Sequence, residues 1–150
     1  MNYCMLPAMT KRAKKSSGAS ATPARALVTV VDDDESVRES LPDLLRELGF
    51  TAQAFASAEE FLTSDSVTAT SCLLLDITMP GMSGPELQQE LTVRGHAMAI
   101  VFISARADEI LRRQLIARGA IDCLFKPFGE QELKAALDAA LPGSRTEQRQ

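Results

Sequence analysis

Cysteine is scarce in this chain. Cys4, Cys72 and Cys123 are the three in 150 residues, far apart, and two of them lie inside apolar runs. That spacing excludes a disulfide frame or a cysteine metal cluster and fits small buried hydrophobes in a reducing compartment. Long hydrophobic runs are also missing: none approaches the roughly 20 residues of a membrane-spanning helix. Residues 1–9 are weakly apolar and are followed, not preceded, by a lysine cluster. A secretory signal has the reverse order, so a cytoplasmic protein with no membrane contact is expected. No Gly-rich phosphate loop of Walker or Rossmann form occurs, which removes a nucleotide-binding reading. Histidine appears once, in Arg94-Gly95-His96. A phosphoryl-donating His needs an exposed helix and an acidic neighbour, so His96 reads as a loop residue.

Basic residues are few where they would matter for nucleic acid. Residues 1–25 carry Lys11, Arg12, Lys14, Lys15 and Arg25 with no acid, and 26–150 hold 11 basic against 20 acidic residues, a net of -9. The body of the chain therefore lacks the Lys/Arg clusters that phosphate backbones require. Any DNA contact is expected from an output domain outside this chain. Segment 1–25, rich in Lys, Ser, Ala and Thr without apolar periodicity, is expected to be a disordered basic extension. The polar stretch 142–150 reads as a linker or tail.

Between them, 26–141 suits one domain with a proper core. Short apolar runs alternate there with amphipathic stretches, the pattern of βα units around a parallel sheet. Strands are predicted at 26–31, 51–55, 72–75, 99–103 and 121–125. The first helix opens at Asp34 or Glu35, with Val37, Leu41, Leu44, Leu45 and Leu48 on one face, Pro42 as a point of bending and Gly49 as its stop. Capping boxes are predicted at Ser57-Ala58-Glu59-Glu60 and Ser83-Gly84-Pro85-Glu86. The fourth helix is placed at 107–118 with Gly119 as its stop, and the fifth at 130–141. Right-handed crossovers put helices on both faces and bring the strand C-termini to one edge.

Polar groups collect at that edge. Asp76 closes the run Cys72-Leu73-Leu74-Leu75 and opens Ile77-Thr78-Met79-Pro80-Gly81. Taken alone it reads equally as a turn former. Asp32 and Asp33 after the first strand, Ser104 after the fourth and Lys126 after the fifth change that balance. Three carboxylates so close raise each other's pKa unless a cation intervenes, and hard oxygen donors suit Mg²⁺. A carboxylate so placed can attack phosphorus to give an acyl phosphate, with an ammonium and a hydroxyl on the equatorial oxygens.

Val30-Val31-Asp32-Asp33-Asp34, Leu75-Asp76-Ile77-Thr78-Met79-Pro80-Gly81-Met82-Ser83-Gly84, Ile103-Ser104-Ala105 and Phe125-Lys126-Pro127-Phe128 resemble the motifs of response regulator receiver domains of two-component systems, in the style of FixJ. The resemblance covers 26–141. It implies an α/β, flavodoxin-like (βα)5 doubly wound parallel sheet of order 2-1-3-4-5. It implies Asp76 as acceptor of a phosphoryl group from a sensor histidine kinase. Mg²⁺ (or Mn²⁺) would be held by Asp33, Asp76 and the main-chain carbonyl of Thr78, with Asp32 assisting. Ser104 and Lys126 would contact the phosphoryl oxygens, and Thr78 and Arg106 would tune the lifetime of the phosphate. The domain would be a signalling switch and not a turnover enzyme, would act on transcription, and would dimerise through its fourth helix, fifth strand and fifth helix. At the switch position, where the family carries an aromatic ring, stands Cys123. Either Phe125, two residues on and on the same face, takes part of that role or the coupling differs.

Two other readings compete. Asp32-Asp33-Asp34 resembles the Asp-x-Asp of haloacid dehalogenase phosphatases, which leaves Asp76 without a role. A receiver-like module that works by protein contact alone leaves the acid set, Ser104 and Lys126 without one.

Overall fold

A computed structural model describes residues 25–142. The expected basic extension, apart from Arg25, and the tail beyond Pro142 lie outside the described residues. Ten elements alternate: β1 Leu27–Val31, α1 Glu35–Glu47, β2 Thr51–Phe55, α2 Ala58–Leu62, β3 Cys72–Asp76, α3 Gly84–Val93, β4 Ala99–Ser104, α4 Glu109–Ala117, β5 Asp122–Phe125 and α5 Glu130–Ala140. All strand pairs are parallel and the sheet order is β2-β1-β3-β4-β5, as the resemblance implies. No helix among the described residues is long and apolar enough to cross a membrane.

The central strands carry apolar side chains on both faces, as a doubly covered parallel sheet requires. Side-chain alternation divides them into two cores. Val28, Val30, Cys72, Leu74, Val101, Ile103 and Leu124 meet Leu41 and Leu45 of α1 and Leu133 and Leu137 of α5. Val31, Leu73, Leu75, Ile100, Phe102 and Cys123 meet Phe61 of α2, Leu87 and Leu91 of α3 and Leu115 of α4. Each strand is therefore fixed from both sides, and a slip of one residue would exchange the two cores.

Helix ends follow the predicted chemistry with two corrections, and two strands run further than predicted. Asp34 caps α1 by accepting from the Ser36 N–H at 2.9 Å, and the helix runs unbroken past the buried Pro42. Ser83 and Glu86 form the full capping box of α3. At α2 only half the predicted box exists: Ser57 Oγ accepts from the Glu60 N–H, but the Glu60 carboxylate accepts from Ala56 instead of Ser57. Helix α4 begins at Glu109, not 107, because Asp108 serves as its cap and accepts from the Leu111 N–H. The third and fourth strands each extend one residue further than predicted, to Asp76 and Ser104, since Asp76 still pairs with Ile103 and Ser104 with Phe125.

Gly84 joins the core to the end of β3. A Cβ there would collide with the Asp76 carbonyl oxygen and stand 3.0 Å from Ile77 Cα and 3.1 Å from Phe102 Cε1. Two of those neighbours are backbone and cannot rotate away. Gly84→Ala should therefore lower stability by about 1–3 kcal/mol, read as a lower urea midpoint at unchanged slope. A parent-like midpoint would show that α3 does not press on this strand end.

Candidate functional site

The strand ends of β1, β3, β4 and β5 enclose a cleft of ≈ 460 Å³ lined by Asp32, Asp33, Asp34, Asp76, Ile77, Thr78, Ser104, Ala105, Arg106, Asp108, Leu111 and Lys126. Seven of the sequence-predicted residues meet there. The eighth, Cys123, does not.

Asp32 is the best anchored of the acids. It is 0% exposed, and its N–H extends the ladder with a bond to Phe55 O at 3.2 Å. Oδ1 accepts from the Asp34 N–H at 2.9 Å, and Oδ2 faces Lys126 Nζ at 3.2 Å. Its carbonyl accepts from the Arg38 guanidinium at 3.0 Å. A buried carboxylate needs such partners, because an uncompensated charge there would cost several kcal/mol. Lys126 is drawn to its place by its own N–H, which donates to Ser104 O at 2.7 Å.

Asp76, 7% exposed at the last position of β3, lies beside this pair. One carboxylate oxygen from each of Asp32, Asp33 and Asp76 falls within 4.8 Å of the others. Burial, then the negative charge of Asp32, push the Asp76 carboxyl up from 3.8 to about 7, against the opposing pull of Lys126. Two unit charges at this separation repel by about 3 kcal/mol at an effective dielectric of 20. Hard oxygens that crowd and repel one another form a donor set that a small divalent cation fits.

Ser104, 6% exposed, is closed into its own loop. Its hydroxyl donates to Arg106 O at 2.8 Å and accepts from the Arg106 N–H at 3.1 Å. Thr78 and Arg106 are exposed at the rim. Cys123 is 4% exposed in the core beneath α4, level with Phe102 on the neighbouring strand, and burial pushes its thiol up to about 11. Phe125 packs on the same core, so the two share a face as predicted. His96 sits in the loop ahead of β4, at the opposite end of that strand from Ser104.

Four cleft or support residues were not singled out from sequence: Arg38, Asp108, Leu111 and, as a lining group, Asp34. The capping rule would have found Asp108, an acid three residues ahead of an apolar helical position. Arg38 had no sequence signal, since its role depends on a main-chain carbonyl.

The raised Asp76 carboxyl has a defined consequence for stability. Its folded value exceeds its unfolded value, so the native state holds the proton more tightly, and this group subtracts stability as pH rises from about 4 to about 7. Asp76→Asn should therefore stabilise the metal-free protein by about 2–4 kcal/mol at pH 8. The gain should shrink toward pH 4, as urea melts in chelator at both pH values would show. An equal or absent gain at the two pH values would contradict the burial and repulsion assigned to this carboxyl.

Comparison with known proteins gives the family. The family model described as response regulator receiver domain matches residues 28–138. The chain is 40% identical over 116 residues to the response regulator protein TodT of Pseudomonas putida, covering 77% of this chain and 51% of that one. It is 39% identical over 123 residues to the transcriptional regulatory protein FixJ of Azorhizobium caulinodans, covering 82% and 58%. Among solved structures it resembles the response regulator StyR, at 43% identity and a TM-score of 0.73 over 84% of this chain and 64% of that one. The chain spans about half the length of the curated relatives it matches. By sequence and by fold, the chain belongs to the response regulator receiver domain family.

Proposed function

We propose that this domain takes a phosphoryl group on Asp76 from the phosphohistidine of a sensor histidine kinase and signals through its surface to an output, most simply transcription. The observation that carries the proposal is the grouping of Asp32, Asp33 and Asp76 oxygens within 4.8 Å, with Lys126 at 3.2 Å from Asp32. In the transfer, an Asp76 carboxylate oxygen forms the new O–P bond as the P–N bond breaks. The electron pair leaves on the imidazole nitrogen, which takes up a proton. Lys126 supplies positive charge for the equatorial oxygens, as phosphoryl transfer demands. Asp32, Asp33, Asp76 and the Thr78 carbonyl are the groups that would hold Mg²⁺ or Mn²⁺, which when bound supplies the charge neutralisation that lets two anions meet.

Ser104 must leave its turn to serve this chemistry. Its hydroxyl would give up both bonds to Arg106 to reach a phosphoryl oxygen, and the 105–107 loop would follow. Thr78 and Arg106, exposed at the cleft rim, would govern water access and so the lifetime of the acyl phosphate. This is a switch and not a turnover enzyme. Relatives named as transcriptional regulators support an output on DNA, made through a domain other than this one. Segment 1–25 is a basic extension in this reading and 142–150 a linker or tail. A cytoplasmic location and a homodimer through α4, β5 and α5 belong to the same proposal.

Incubation with acetyl phosphate and Mg²⁺, followed by intact mass measurement, tests it. The parent should gain one phosphoryl group; Asp76→Asn should gain none while remaining folded. Continuous phosphate release that depends on Asp32 would favour a phosphatase. An unchanged mass would favour a module that acts by contact alone.

A further inference from the structure

Arg38 stands where helix electrostatics disfavour it. It is the fourth residue of α1, one turn from the Asp34 cap, and the helix dipole places positive charge at that end. The first turn otherwise carries Glu35, as the dipole prefers. The acids three and four residues before it, Glu35 and Asp34, form no ion pair with Arg38 among the described residues, and the reason for a cation here lies in what the guanidinium touches. Its Nη1 donates at 3.0 Å to the main-chain carbonyl of Asp32, six residues back and already past the end of β1. That carbonyl belongs to the peptide joining Asp32 to Asp33, the two acids that leave the first strand.

The other contacts of Asp32 fix its N–H and its carboxylate: Phe55 O holds the N–H, while the Asp34 N–H and Lys126 hold the two carboxylate oxygens. Among the described residues, Arg38 is the group that holds the carbonyl side. Rotation of that one peptide would turn Asp33, which is exposed, away from Asp76. We infer that Arg38 is a positioning residue for the divalent-cation site: by pinning the Asp32–Asp33 peptide it aims the Asp33 carboxylate at Asp76. The inference rests on the proposed metal-dependent phosphoryl transfer.

Charge and position make opposite demands, which gives the test its sign. A guanidinium beside the acid cluster opposes a dication by Coulomb repulsion, so a purely electrostatic Arg38 would weaken cation binding and its removal would tighten it. A positioning Arg38 strengthens binding. Groups that orient metal ligands typically change affinity by about 10–100-fold when removed, whereas a partly exposed charge acting through solvent is screened. Position should win.

Arg46 provides a matched control. It lies on the same helix and donates Nη2 to another main-chain carbonyl, Ala52 O, at 3.0 Å, on the second strand and outside the cleft. Mg²⁺ affinity by titration calorimetry, and the Mg²⁺ concentration that half-saturates phosphorylation by acetyl phosphate, should be measured for the parent, Arg38→Met, Arg38→Lys and Arg46→Met, with urea midpoints alongside. Arg38→Met should weaken Mg²⁺ binding about tenfold and raise the half-saturating concentration by the same factor. The rate at saturating Mg²⁺ should fall less than threefold. Arg38→Lys should lie between, and Arg46→Met should bind Mg²⁺ as the parent does whatever it loses in stability. Unchanged or tighter Mg²⁺ binding by Arg38→Met, or an equal loss in Arg46→Met, would overturn the inference. A parent that binds Mg²⁺ but takes no phosphoryl group would end the proposed transfer while leaving the positioning role measurable. A parent that binds no Mg²⁺ would end both.

Discussion

Crowded negative charge is the constraint on which the rest of this structure depends. Three carboxylate oxygens within 4.8 Å, one acid fully buried and another nearly so, repel by about 3 kcal/mol per pair at an effective dielectric of 20. A domain's whole stability is commonly only about 5–15 kcal/mol. The arrangement survives because the two buried acids are each held by something that does not depend on the others, while the third is exposed. Asp32 has Lys126 and three backbone-linked hydrogen bonds; Asp76 is the last residue of a strand paired in register on its β4 side; Asp33 faces solvent. Lys126 relieves part of the charge, yet burial and then the charge of Asp32 keep the Asp76 carboxyl at about 7. What remains is an unmet demand for positive charge, located at the place where a cation and a phosphoryl group would both arrive.

The fold meets the positional half of that demand through the parallel sheet. Parallel register brings all five C-terminal strand ends to one edge, and the double core forbids a one-residue slip. Gly84 adds a second restraint, since α3 begins against the Asp76 carbonyl and the ring of Phe102 with no room for a side chain. The same helix starts with a complete capping box, so its first turn is both close and rigid. Glu59 of α2 completes the frame by accepting from the Met82 N–H at 2.9 Å, which ties down the loop that carries Thr78. Backbone contacts, more than side-chain ones, therefore set where the acids point.

This division explains what could be read from the sequence. Strands and helices were legible because their apolar periods are strong, and Asp32, Asp33, Asp76, Ser104 and Lys126 were legible because each directly follows or ends an apolar run. Two local details departed from the pattern: Asp108 set the start of α4, and Glu60 bonded to Ala56 instead of completing the Ser57 box. Arg38, Glu59 and Gly84 were invisible as site residues. Their partners are main-chain atoms 6 to 23 residues away, and no residue-type pattern encodes a carbonyl or an N–H.

The same distinction bears on how a change at Asp76 would reach the surface. Cys123 gives β5 a small thiol level with Phe102, so the bulk in that part of the core belongs to β4 and is already fully buried. A ring that swings between two positions on β5 is not available at 123, and Phe125 is already packed against the same core. The covalent route is shorter. Ser104 is bonded to Arg106 in both directions, Asp108 caps α4 two residues later, and Leu111, whose N–H donates to that cap, lines the cleft and packs on the core beneath. Arg112 then joins α4 to β5 through Asp122 at 2.9 Å, and Asp122 in turn accepts from the Cys123 N–H at 2.7 Å. If Ser104 leaves its turn for a phosphoryl oxygen, the displaced loop acts directly on the cap of α4, and the Arg112–Asp122 pair determines whether the helix moves alone or carries the edge strand with it. Under the proposed transfer, the readout would fall to a helix cap and an ion pair, where a bulkier residue at 123 would assign it to a rotating side chain.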